Sequence, residues 1–231
     1  MSNIYKESIV NLLSRIPILR KEQLILYLVK IYDLPLDIAE SLLEKATESG
    51  YVLISPNDLV TTRATMNLLY KKDDISIREH IFKLARPIVL TKDLEIQIDA
   101  FWVVLKNLPD ADDFVFLNGP ISAVYTDKSR NKIVEIVVIP HGKERLYTHL
   151  FKYHFTYSLE SQKYYERIGI VNNARSALLM GNVGFTEFYY IDKTELSKNI
   201  IYFIGARDNN TAWEDVEYVK EKIEEDMLYE L

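Results

Sequence analysis

The chain has 231 residues, 48% of them hydrophobic, no cysteine, and a formal net charge of -6. That length and apolar content suffice for two ordinary domains with buried cores, and the missing thiols exclude disulfides, thiolate zinc sites and cysteine nucleophiles. No run approaches the roughly 18–20 apolar residues of a membrane helix, and the first residues lack the basic-then-apolar plan of a secretory signal, so a cytoplasmic location without membrane contact is expected.

Ile4, Ile9, Leu12, Leu13 and Ile16 draw an apolar stripe on a first helix that should stop near Pro17, because proline disfavours helical geometry in the residue before it. A second helix over 21–32 carries Leu24, Ile25, Leu28 and Ile31 on its inner side. After Asp33 and Leu34, Pro35 opens a third, whose stripe of Ile38, Leu42, Leu43 and Ala46 runs to Gly50. The period then turns extended over 51–55 and 59–63, around a Pro56-Asn57-Asp58 turn, which makes a hairpin. Three helices followed by a hairpin is the order of a winged helix-turn-helix, and the expected fold is α+β. Its winged helix occupies residues 1–75, and a mixed α/β sheet domain with a C-terminal helix occupies 76–231.

The charge divides unevenly between these parts. Residues 1–72 hold nine Lys/Arg against eight Asp/Glu, whereas 73–231 hold nineteen against twenty-six. Neither part has the basic run of a protein that lies broadly on phosphate. In helix-turn-helix proteins the second helix of the motif faces base edges, yet here 36–49 carries Asp37, Glu40, Glu44 and Glu48 against a single Lys45. Contact with double-stranded DNA would therefore fall to Arg20 and Lys21 at the start of the second helix, Arg63 and Thr61 on the wing, and Lys71 and Lys72 after it. The other reading of the same residues is a solvated surface on a module that binds protein or a second copy of itself.

Farther along, Ser76 with Glu79 forms a capping-box pattern for a helix over 77–86. An amphipathic helix over 94–108 carries Ile96, Ile98, Phe101, Trp102 and Leu105. Strand patterns follow at 114–117, 122–125 and 132–139, with 127–131 as a polar turn, and resume at 165–171, 185–191 and 199–204. Helices are expected over 144–154 and, at the end, over 211–231, where Trp213, Val216, Val219, Ile223 and Met227 share a face. The sum is a mixed sheet of five or six strands with flanking helices.

The strings Lys132-Ile133-Val134-Glu135-Ile136-Val137-Val138-Ile139-Pro140, Arg167-Ile168-Gly169-Ile170-Val171 and Phe188-Tyr189-Tyr190-Ile191, behind a winged helix, resemble the replication-relaxation group of plasmid and mobile-element proteins. That resemblance implies a core similar to restriction endonucleases and a role in DNA-linked regulation or replication of a mobile element. Nuclease chemistry would need an acidic residue on one strand and a Glu-X-Lys pair on the next, so that carboxylates hold Mg2+ and the lysine polarises water or phosphate. Glu135 is followed at that spacing by Val137, and Asp127 falls in the expected turn, with Glu135 left as an edge or surface carboxylate. The resulting expectation is a non-enzymatic winged-helix protein in DNA-linked regulation or replication of a mobile element, with a protein assembly module that does not bind DNA as the alternative and a metal-dependent nuclease third.

No cofactor is expected: seven glycines leave no P-loop or dinucleotide fingerprint, and no Gly-X-Ser-X-Gly elbow occurs. His149 and His154, five apart, should not share a helical face, and His80 and His141 have no neighbours at metal-ligand spacing. The sixteen tyrosines suit an interface or base stacking, but half-buried strands use tyrosine equally well.

Overall fold

A computed structural model of the chain describes residues 3–62, 64–65, 87–156, 158, 163–171, 176–177, 180, 183–191 and 201–205. Within them the protein is mixed α+β, with five helices and two sheets. It forms two compact units, Met1–Phe101 and Trp102–Leu231. The boundary expected at residue 75, the capped helix over 77–86 and the terminal helix over 211–231 lie outside the described residues. No helix among the described residues is long and apolar enough to cross a membrane.

The first unit begins with α1 (Asn3–Arg15), which buries Ile9, Leu12 and Leu13 at helical spacing and ends before Pro17. A three-residue strand follows, β1 (Ile18–Arg20), too short for its alternation to register in the sequence. Helix α2 (Lys21–Tyr32) turns its buried side inward through Gln23, Leu24, Ile25 and Leu28, and Asp33 closes it in a left-handed conformation at φ 51°. Helix α3 (Leu36–Glu48) opens after Pro35 and buries Ala39, Leu42, Leu43 and Ala46. Ile38, expected in that stripe, is instead 45% exposed: residues 39, 42, 43 and 46 fill the inward face, and position 38 lies about 100° off it. Gly50, at φ 72°, makes the sharp exit into β2 (Val52–Ile54), which pairs antiparallel with β3 (Leu59–Thr62).

Strand β3 also pairs antiparallel with β1, giving the order β1-β3-β2. Ile18, Leu19, Val52, Leu59 and Val60 on this small sheet are all at most 1% exposed, and each such aliphatic side chain contributes about 1.5–3 kcal/mol on burial. The first half of α4 (Lys92–Lys106) completes the core, with Ile98 packed against Ile18 and Leu59. One buried polar side chain ties it in: Gln23 Nε2 donates to the Ile98 carbonyl at 2.8 Å, while Gln23 Oε1 accepts the Arg20 N–H at 3.1 Å. The β2–β3 turn is clasped as well, since Asn57 donates to the Ile88 carbonyl at 3.0 Å and accepts the Ile88 N–H at 3.1 Å.

The second unit is built on a six-stranded sheet, β4-β5-β6-β7-β8-β9. Strands β4 (Phe114–Phe116), β5 (Ala123–Asp127) and β6 (Lys132–Val138) form an antiparallel meander. Helix α5 (Glu144–Tyr153) then crosses over to β7 (Tyr165–Val171), parallel to β6. Strand β8 (Glu187–Ile191) is parallel to β7, and β9 (Ile201–Gly205) closes the edge antiparallel to β8. Phe151 of α5 packs with Val137, Val171, Phe185 and Phe188 on one face. There Gly169 leaves space that a side chain would take: a Cβ on it would stand 2.5 Å from the Phe188 ring.

Candidate functional site

Strand alternation assigns the charged residues of the second unit to opposite faces of its sheet. The registers Glu135↔Arg167 and Gly169↔Phe188 put Glu135 and Arg167 on the α5 face. There Arg167 Nε donates to Glu135 Oε2 at 2.9 Å, and Nη2 lies 2.8 Å from the same oxygen. The guanidinium carbon is 4.4 Å from the Phe151 ring centroid, within cation–π range. The Arg167 side chain is 2% exposed and that of Glu135 10%. Glu135 is thus neither an edge nor a surface carboxylate: it stands on an inner strand, and a charge there survives only with a partner.

The registers Asp127↔Lys132 and Val134↔Glu166 place the second group on the other face. Asp127, expected in a turn, is the last residue of β5 and only 4% exposed. Its Oδ1 accepts from Ser129 Oγ at 2.7 Å and the Arg130 N–H at 2.9 Å, and its Oδ2 from Arg130 Nε at 2.6 Å. These bonds make Asp127 the closing residue of the β5–β6 hairpin. Burial pushes its pKa up, but the hydrogen bonds from Ser129 and Arg130 outweigh that and hold it below the ordinary carboxylate value. Arg130 Nη1 reaches Glu166 Oε2 at 2.6 Å, and Lys132 Nζ reaches Glu166 Oε1 at 2.5 Å. The result is a chain of alternating charge, Asp127–Arg130–Glu166–Lys132, in which each partner offsets its neighbour's desolvation.

Beside this chain lies a cleft of about 480 Å³, lined among others by Lys106, Asp110, Asp127, Arg130, Glu187 and Tyr189. Lys106 Nζ stands 4.8 Å from the Tyr189 ring centroid, and the Tyr189 hydroxyl donates to Glu187 at 3.2 Å. Burial raises the Tyr125 hydroxyl, on the same face, well above the ordinary phenol range; among the charges around it Arg130 lowers it, and Asp127, Glu187 and Glu166 raise it. The cleft is polar and close to charge-balanced, so it favours neither an anion nor a cation.

This arrangement bears directly on metal chemistry. Asp127 and Glu135 point to opposite sides of the sheet and are each ion-paired to arginine, so they cannot jointly chelate one cation. Among the described residues no three His, Asp or Glu side chains form a group that could hold a metal. Strand patterning revealed where Glu135 and Glu166-Arg167 lie, as charges inside otherwise apolar strings, but not that they pair across different faces. The histidines also differ from expectation. The rings of His149 and His154 come to 5.7 Å between centroids, at the end of α5, where His154 is the C-cap and its N–H still donates to the Leu150 carbonyl.

In the first unit, Arg20 and Lys21 stand side by side where β1 passes into α2, both half-buried. Arg63, Lys71 and Lys72 lie outside the described residues, and Thr61, expected at the wing surface, is fully buried in β3 with its hydroxyl donating to the Pro17 carbonyl at 2.8 Å. The outward side of α3 presents Asp37, Glu40, Glu44 and Glu48, all exposed, with Lys45 the one cation among them. Leu36 is 61% exposed at the start of that helix, and with Ile38 it flanks the carboxylates, since residues two apart on a helix project to different sides. Compared with family models, with curated proteins and with solved structures, the chain matches none.

Proposed function

We propose that the first unit is a winged helix-turn-helix that serves as a protein-docking module. The order α1-β1-α2-α3-β2-β3 with the sheet order β1-β3-β2 supports the module: α2 and α3 form the helix-turn-helix, and β2–β3 the wing. The observation that carries the docking role is the outward face of α3, four carboxylates beside exposed Leu36 and Ile38. Phosphate repels such a face, whereas a basic polypeptide with apolar anchors complements it in charge and offers Leu36 and Ile38 something to bury against. The clasp between Asn57 and Ile88 supports the same reading, because it engages the wing turn within the chain itself. For the second unit the proposal is a non-enzymatic scaffold, supported by the opposed, arginine-paired placement of Asp127 and Glu135.

The test uses two defined probes on the full chain, a Lys/Leu-rich peptide and a random-sequence duplex at low ionic strength. Peptide binding that weakens by roughly tenfold, about 1.4 kcal/mol, in Glu40→Lys/Glu44→Lys supports docking at α3; peptide binding unchanged by those substitutions overturns it. The second reading is DNA-linked regulation or replication of a mobile element, and the pairing of Arg20 and Lys21 at the N-terminus of α2 favours it, since helix N-termini attract phosphate. Under that reading the duplex binds with strong salt dependence, and Arg20→Ala, Lys21→Ala and Arg63→Ala each weaken it. Absence of duplex binding at low salt eliminates it.

A further inference from the structure

We infer that His149 and His154 form a two-imidazole site for a divalent transition-metal ion at the C-terminal end of α5. Their ring centroids are 5.7 Å apart, with the planes inclined at 48°. With metal–nitrogen bonds of about 2.0–2.1 Å, two imidazoles on one tetrahedral ion place their centroids about 5 Å apart, close to the separation observed here. Both residues are exposed, which leaves the remaining coordination positions open to water or to a ligand atom from a partner. Imidazole nitrogen selects Zn2+, Ni2+ or Cu2+ over the oxygen-seeking Mg2+ and Ca2+.

The position on the helix favours a cation independently of the rings. The negative end of the α5 dipole lies here, in the last turn and its cap, where the Leu150 carbonyl takes the His154 and Phe155 N–H groups. Lys152 is the one opposing charge in that turn, and its ammonium sits 5.4 Å from the Tyr153 ring centroid. Tyr153, 62% exposed, packs against the His149 ring at 4.8 Å and a tilt of 49°, so binding at His149 should register on that ring. His141, the remaining histidine of the second unit, is paired toward Glu144 at 3.9 Å on the first turn of the same helix.

Calorimetric titration of the full chain with Zn2+ and, separately, Ni2+ tests the site, together with histidine ring signals in NMR. One ion per chain is expected, with both His149 and His154 signals moving. The affinity should fall roughly tenfold or more, about 1.4 kcal/mol, in His149→Ala and equally in His154→Ala, and should stay unchanged in His141→Ala. No binding by the natural chain, binding that survives either single substitution, or binding lost on removing His141 or His80 overturns the inference.

Discussion

The two units handle charge in opposite ways. In the first, apolar side chains fill the interior, Gln23 is the principal buried polar group among the helices, and every carboxylate of α3 faces out. In the second, Asp127, Glu135, Glu166 and Arg167 are all buried, and the strands carry their ion pairs into the sheet. A surface charge costs little to keep or to change, and so is available for recognition; a buried pair is costly to break, and so serves architecture. That difference is consistent with the docking role proposed for the first unit and the scaffold role proposed for the second.

The comparison breaks most sharply at Arg167. Arg167→Met leaves Glu135 as an uncompensated buried charge and should destabilise the second unit by about 3–5 kcal/mol, whereas Arg167→Met/Glu135→Leu should recover most of the loss. Denaturant melts of the single and double variants measure this, and a double variant as unstable as the single one would show that the pair is not what the site needs. Gly169→Ala comes next. Its new Cβ falls 2.5 Å from the Phe188 ring, itself 1% exposed, and overpacking of that kind costs about 1–3 kcal/mol, read as a lowered denaturation midpoint.

A smaller effect is expected at Gln23→Leu, which orphans the Arg20 N–H and removes the donor to Ile98, for about 1–2 kcal/mol. Asp127 sharpens the comparison through pH. Its folded pKa lies below the unfolded value, so its contribution to stability is fully present above the unfolded pKa and is lost as pH falls through the folded one. Asp127→Asn should therefore flatten the acid limb of the stability profile, and an unchanged limb contradicts that role. Smallest of all, Glu40→Lys/Glu44→Lys should leave the melt within about 0.5 kcal/mol while changing what the chain binds.

Much of the first unit was legible because its helices announce themselves by period and punctuation. Pro17, Pro35 and Gly50 bound α1, α3 and the turn into β2, and the start of α2 at Lys21 matched its stripe. Strand β1 was not legible, since three residues carry no alternation and its partner is forty residues away. Ile38 misled because it sits beside the stripe rather than in it, a distinction only the rotation of the packed helix decides. In the second unit the strand strings were readable, but pairing order was not, and without it Asp127 read as a turn residue and Glu135 as an edge carboxylate. The parity of the register, which sends Asp127 and Glu135 to opposite faces, is a property of cross-strand pairing and has no local signal. The approach of His149 to His154 is likewise a matter of side-chain placement, which the five-residue spacing does not announce.

The most direct test of the central claim is backbone-amide shift mapping of the full chain with the Lys/Leu-rich peptide. Residues 73–231 carry the chain's net negative charge, with nineteen Lys/Arg against twenty-six Asp/Glu, so attraction by charge alone would move signals there. The account expects shifts centred on Leu36–Glu48, with the duplex leaving those residues unmoved; peptide shifts that avoid α3, or duplex shifts that fall on it, contradict the account.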